Sequence, residues 1–236
     1  LHIALAADGD NSGFSPEPFS TFYQRSIYQQ ARNLAGQVLI ALRQRMRTLT
    51  PHAQELAQAV LNRQEQIMGR FQLILNHKIT AMRTRCHGDY HLGQVLYTGK
   101  DFIIADFEGE SGRSLSDRRI KRSPLRDVAN MLQSFHYAAN VGLRNEIESG
   151  MLRTENLPVM EQWVRFWSTC VSAAFLNSYL AIASQDSFLP KTKTELQVLL
   201  DAYLLEKAIH GLGYDLDSRY DWIEITLARI LQLLET

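Results

Sequence analysis

Apolar residues recur every three to four positions through most of this chain, and strict two-residue alternation is nearly absent. From about Ser20 to Leu49 the apolar set is Ile27, Ala31, Leu34, Val38, Leu42, Met46 and Leu49, the stripe of an amphipathic helix. Thr50-Pro51 then reads as an N-cap followed by proline at the first helical position. A second long helix is expected to run to about Met82, with Leu61, Met68, Phe71, Leu75, Ile79 and Met82 on one face. Ser123-Pro124 repeats the cap-plus-proline signature ahead of Val128, Met131, Leu132, Phe135 and Tyr137. Pro158 opens a helix rich in Trp163, Phe166, Trp167, Val171 and Phe175, whose aromatics are expected to pack in the core. Two more helices are expected, from about Thr194 to His210 and from about Asp221 to Leu234, with 211–218 as a loop between them. Residues 1–7 form a short apolar start and 8–13 a turn-rich loop. The pattern predicts a mainly α chain, one helical domain over 1–236 with a single small sheet.

That sheet belongs to the interval His87 to Glu110, HGDYHLGQVLYTGKDFIIADFEGE. Val95-Leu-Tyr97 reads as one strand and Phe102-Ile-Ile-Ala105 as the next, joined by the turn Thr98-Gly-Lys-Asp101. If Tyr97 faces Phe102, then Gln94 faces Ala105 and Asp106 emerges beside Gln94. With Asp89 on the preceding loop, the hairpin gathers two carboxylates and an amide oxygen at one end. Such a set of hard oxygen donors suits Mg²⁺, with one carboxylate left as a general base.

This spacing resembles the catalytic segment of the protein-kinase-like fold, where H-x-D-x-x-x-x-N is followed, after a hairpin, by D-F-G. The form His87-Gly-Asp-Tyr-His91 resembles the small-molecule branch, which includes aminoglycoside and choline phosphotransferases. Two positions depart from the usual pattern: Gln94 stands where Asn is usual, and Glu108 where Gly is usual. The run from Glu110 through Arg118-Arg119-Ile-Lys-Arg122 and Leu125-Arg-Asp-Val-Ala129 resembles bacterial maltokinases, including those fused behind trehalose synthase. Pro16-Glu-Pro-Phe-Ser20, Tyr23-Gln-Arg-Ser-Ile-Tyr28 and Leu205-Glu-Lys-Ala208 look like the same family. The resemblance implies the helical C-terminal lobe of a kinase-like fold, with a β-rich N-terminal lobe lying outside this chain. No Gly-rich loop on a strand hairpin occurs, and no strand Lys to grip ATP phosphates. Gly9 and Gly13 lie in a polar loop and do not substitute.

Bulk properties narrow the picture little. The 236 residues are 45% hydrophobic and 21% charged with a formal net charge of zero, as in a soluble globular protein. Nothing suggests a nucleic-acid or membrane-surface footprint. The basic cluster Arg118-Arg119-Ile-Lys121-Arg122 is local, either a solvated loop or a phosphate or partner contact. Cys86 and Cys170 have no disulfide or zinc spacing, and each is expected as a buried thiol. No apolar run approaches the roughly 20 residues that span a bilayer, so the expected setting is cytoplasmic.

The residues divide into roles as follows. Asp89 would take or orient a hydroxyl proton, with His91 beside it toward a phosphate. Gln94 and Asp106 would hold Mg²⁺. His87 would shape the loop, and Asp127 would support it structurally. Glu108, Glu206, Tyr214 and Arg219, with aromatic and polar character, would bind a sugar. The resemblance implies ATP and Mg²⁺ as cofactors and maltose, converted to maltose 1-phosphate, as the substrate, with a fused or associated trehalose synthase domain as a partner. The lobe alone is expected to turn over no ATP. Two rivals stand beside this reading: a phosphotransferase of the aminoglycoside or choline type, and a non-catalytic helical module docked on trehalose synthase.

Overall fold

A computed structural model describes residues 1–7, 12–76, 78–110, 112, 114–219 and 222–235. In chain order its helices and strands are α1 (His2–Ala6), β1 (Glu17–Pro18), α2 (Thr21–Arg45), α3 (Pro51–Asn62), α4 (Gln64–Asn76), β2 (Met82–Arg83), β3 (Val95–Tyr97), β4 (Phe102–Ile104), α5 (Leu115–Arg119), α6 (Leu125–Glu148), α7 (Leu157–Ala183), α8 (Lys193–Ser218) and α9 (Ile223–Glu235). The chain divides into two compact units. One unit comprises Leu1–Pro16 and Thr84–Ser187, the other Glu17–Arg83 and Phe188–Thr236. Part of the turn-rich loop, 8–11, and the expected start of the last helix, 221, lie outside the described residues.

The second unit is a helical bundle. Ser20 caps α2 by accepting from the Tyr23 N–H at 3.2 Å, and Ile27, Ala31, Val38 and Leu42 are buried as the stripe requires. Thr50 caps α3 by accepting from the Ala53 N–H at 3.1 Å, with Pro51 at the start. The long helix expected beyond it is broken at Arg63, which leaves helical geometry at φ −99°, ψ 16°. The break has a packing cause. Helix α3 packs against α9 and buries Ala53, Ala57, Val60 and Leu61; α4 packs against α2 and α8 and buries Ile67, Phe71 and Ile74. The register of the buried face shifts, so Leu75 stays exposed and Ile74 goes inside. Met82 ends as a strand residue, since β1 and β2 pair antiparallel with Pro18 opposite Met82.

Helix α8 continues through 211–218, which the glycines had marked as a loop. Leu212 and Leu216 are buried, and Gly213 sits where α2 comes close. A Cβ there would stand 3.0 Å from Val38 Cγ2. The glycine is a contact device between two helices and not a breaker.

The first unit holds the hairpin β3–β4 with the expected register, Val95 opposite Ile104 and Tyr97 opposite Phe102. Helix α6 buries Leu125, Val128, Met131, Leu132 and Phe135, and α7 packs beside it, with Phe135 and Phe175 edge to face at 5.6 Å. Ser123 does not cap α6 as expected; its Oγ accepts from the Leu125 N–H at 3.4 Å, and no side-chain cap bond closes the helix start. Trp163, Phe166 and Trp167 are exposed and not core. Phe166 lies nine residues before Phe175, half a turn round the helix, so the face that meets α6 excludes it. By length and composition α7 is also apolar enough to cross a membrane, although it is largely exposed, which corrects the expectation that no apolar run approaches that length. Of the two thiols only Cys86 is partly buried; Cys170 is exposed.

Candidate active site

The loop before the hairpin is held from beneath by one carboxylate. Asp127 lies in the first turn of α6 and is fully buried. Its Oδ2 accepts the His87 N–H at 2.7 Å and its Oδ1 the Gly88 N–H at 3.0 Å. Gly88 has φ 88°, a left-handed conformation that glycine adopts without cost. A Cβ at Gly88 would also meet the Gly109 Cα at 3.3 Å. The supporting role expected of Asp127 thus has explicit geometry: it satisfies two backbone donors that would otherwise be buried and unpaired.

His87, 1% exposed, ties that loop to the hairpin. Its Nε2 donates to the Ala105 carbonyl at 2.8 Å, and its Nδ1 accepts the Asp89 N–H at 3.3 Å. The ring packs on Phe107 at 4.9 Å and on Tyr90 at 5.6 Å. Burial pushes the Tyr90 hydroxyl pKa up, with Asp127 adding to the shift.

The chemistry-bearing side chains form two pairs. Asp89 Oδ2 lies 3.5 Å from His91 Nε2. His91 Nδ1 accepts the Gly93 N–H at 3.0 Å, so the neutral ring carries its proton on Nε2, facing Asp89. That acceptance caps the short 3₁₀ turn Leu92–Gln94. His91 is therefore oriented by its own turn and leans on the carboxylate. Across the hairpin mouth the Gln94 amide donates to Asp106 Oδ2 at 3.0 Å, while the Ala105 N–H reaches the Gln94 carbonyl at 2.9 Å. Asp106 is exposed and has φ 59°, a left-handed backbone uncommon outside glycine and a mark of functional sites. Exposed Asp106 and half-exposed Gln94 together offer hard oxygen atoms outside their mutual bond, a donor set that fits Mg²⁺.

Glu108 is exposed and pairs at 3.8 Å with Arg118, whose guanidinium also reaches the Glu108 carbonyl at 3.4 Å. The basic cluster is largely spent inside its unit. Lys121 Nζ donates to the Ser12 and Ser15 carbonyls at 2.6 and 2.7 Å, and the Arg122 backbone bridges to Thr84. Glu206 and Tyr214 lie on α8, and Arg219 caps its C-terminus. The Arg219 guanidinium stacks over Tyr214 at 5.0 Å. These three belong to the second unit, Glu108 and the hairpin residues to the first.

Two residues of this neighbourhood gave no signal in the sequence. His2 Nε2 lies 3.0 Å from Asp127 Oδ2 and His2 Nδ1 3.0 Å from the Tyr179 hydroxyl. Partners 125 and 177 residues apart leave no spacing to read. Cys86 is the third group here, its Sγ within 4.8 Å of the His2 and Asp127 ligand atoms. Burial pushes its thiol well up, and the sulfur donates to the Thr84 and Arg122 carbonyls at 3.6 and 3.5 Å. The thiol is thus held against two backbone carbonyl oxygens.

No family model matches the chain. Its fold does match solved structures. A glucosamine kinase in complex with glucosamine, ADP and inorganic phosphate superposes with a TM-score of 0.77 at 18% identity, over 99% of this chain and 51% of that one. A second glucosamine kinase structure, crystal form A, gives 0.76 at 18% identity over 98% and 47%. The chain spans about half the length of these proteins. At such identity the likeness is one of fold: mainly α, as the sequence pattern leads one to expect, but with two small two-stranded antiparallel sheets where a single one is expected, the second being the hairpin at the site.

Proposed function

We propose that this chain is the helical catalytic lobe of an ATP-dependent sugar kinase. The observation that carries the reading is the pairing at the hairpin mouth. Gln94 and a left-handed Asp106 face one another across 3.0 Å, and Asp89 stands on a loop anchored by Asp127 and His87. In this reading Asp89 orients the acceptor hydroxyl and takes its proton. His91, held with Nε2–H toward Asp89, steadies that carboxylate. Gln94 and Asp106 would hold Mg²⁺, which neutralises charge on the transferred phosphoryl group. Most of the rate would come from positioning.

The acceptor in this reading is maltose, giving maltose 1-phosphate, on the strength of the resemblance around Asp106-Phe-Glu-Gly-Glu110; an associated trehalose synthase domain belongs to the same reading. Glucosamine is the second acceptor, favoured by the fold likeness to a glucosamine kinase that binds it. The test is phosphoryl transfer from ATP by the full-length protein to maltose, glucosamine and an aminoglycoside. Asp89→Asn should cut transfer by about two orders of magnitude or more with nucleotide binding nearly unchanged. Turnover within a few-fold of wild type would remove Asp89 from the chemistry, and preference for the aminoglycoside would replace the substrate class.

A further inference from the structure

Helix α1 is built the wrong way round for a simple packing element. Ile3 is 41% exposed, whereas His2 is 3% exposed and the one buried residue of the helix. Burying an imidazole while an isoleucine faces out reverses the ordinary preference, so the imidazole must be wanted inside.

Its contacts say why. Tyr179 is half-buried and its hydroxyl pKa is pushed up, by burial first and then by Cys86 and Asp127. It stays protonated and donates to His2 Nδ1. On the other side of the ring Nε2 donates to the Asp127 carboxylate oxygen Oδ2 at 3.0 Å. Ring geometry agrees, since His2 and Tyr179 meet edge to face at 5.7 Å and 87°. Asp127 in turn holds the His87 and Gly88 amides, two residues and one residue before Asp89. A fully buried carboxylate needs every donor it has, so its orientation depends on His2.

We propose that His2 is a positioning residue: through Asp127 it fixes the loop that aims Asp89, and Tyr179 fixes His2. The effect on phosphoryl transfer rests on the kinase reading above; the ordering of the loop does not.

The experiment reads amide exchange at His87 and Gly88 in the full-length protein, with α8 amides as internal reference. His2→Leu should raise exchange at those two amides by about tenfold or more and leave α8 unchanged. His2→Gln, whose amide can donate where Nε2 does, should restore most of the protection. Tyr179→Phe keeps the ring and removes only the hydroxyl; it should raise exchange less, and it decides the matter if His2→Leu does not fold. Where wild type transfers phosphoryl groups, His2→Leu should lower kcat about tenfold with the KM for ATP unchanged. Unchanged exchange in the variants that fold overturns the proposal. Altered exchange with no phosphoryl transfer by wild type supports the tether and overturns the kinase reading alone.

Discussion

The Gln94 side-chain amide donates to Asp106 Oδ2 across 3.0 Å, and this bond spans the open end of the β3–β4 hairpin. It orients both groups without using the Gln94 side-chain oxygen Oε1. The longer side chain, unusual at this position in kinase-like motifs, reaches the second carboxylate directly.

The two groups are therefore expected to differ in weight. Asp106→Asn keeps a residue that tolerates φ 59° and removes only charge. In the full-length protein it should weaken Mg²⁺-dependent ATP binding by about tenfold or more, and Gln94→Ala by a few-fold. Titration of Mg²⁺ against nucleotide binding measures both. Equal metal affinity in wild type and Asp106→Asn contradicts the metal assignment.

Gly211 and Gly213 share α8 but should respond oppositely to alanine. In a helix interior Gly→Ala ordinarily gains about 1 kcal/mol. At Gly211 the added Cβ meets Thr226 Cγ2 at an ordinary 3.7 Å, so stability should rise by roughly 0.5–1 kcal/mol. At Gly213 it meets Val38 Cγ2 at 3.0 Å, and a β-branched side chain within α2 has little rotamer freedom to retreat. Gly213→Ala should cost about 1–2 kcal/mol, and Val38→Ala in the same protein should recover part of it. Denaturant unfolding of the two single variants and the double variant reads the signs.

These glycines also show where sequence pattern stops. Periodicity located α2 and α6 and their buried residues because each is long, amphipathic and packed on one face. The hairpin register was legible down to Tyr97 opposite Phe102, because a short turn between two apolar runs leaves few alternatives. The end of α8 was not legible, since a glycine needed for close approach to Val38 looks the same as a glycine that stops a helix. The aromatic residues of α7 misled for a related reason. Helical spacing gives a stripe but not what covers it, and Trp163 and Phe166 face outward. The meeting of Gln94 with Asp106 follows from the hairpin register, whereas the contacts of His2 with Asp127 and Tyr179 arise only from tertiary structure.

Asp215 sets a pH dependence of known sign. Burial raises its pKa; Thr226, whose hydroxyl it accepts, and Arg219 oppose the shift. A carboxyl whose folded pKa exceeds its unfolded value holds more protons when folded. Its favourable contribution is complete below the unfolded pKa and is lost as pH rises through the folded one. Asp215→Asn retains an oxygen acceptor for Thr226 and removes the charge, so it should raise stability near neutral pH and flatten the decline above the usual carboxylate range. Unfolding free energies taken from acid to neutral pH test this; an unchanged slope in the variant excludes Asp215 as its source.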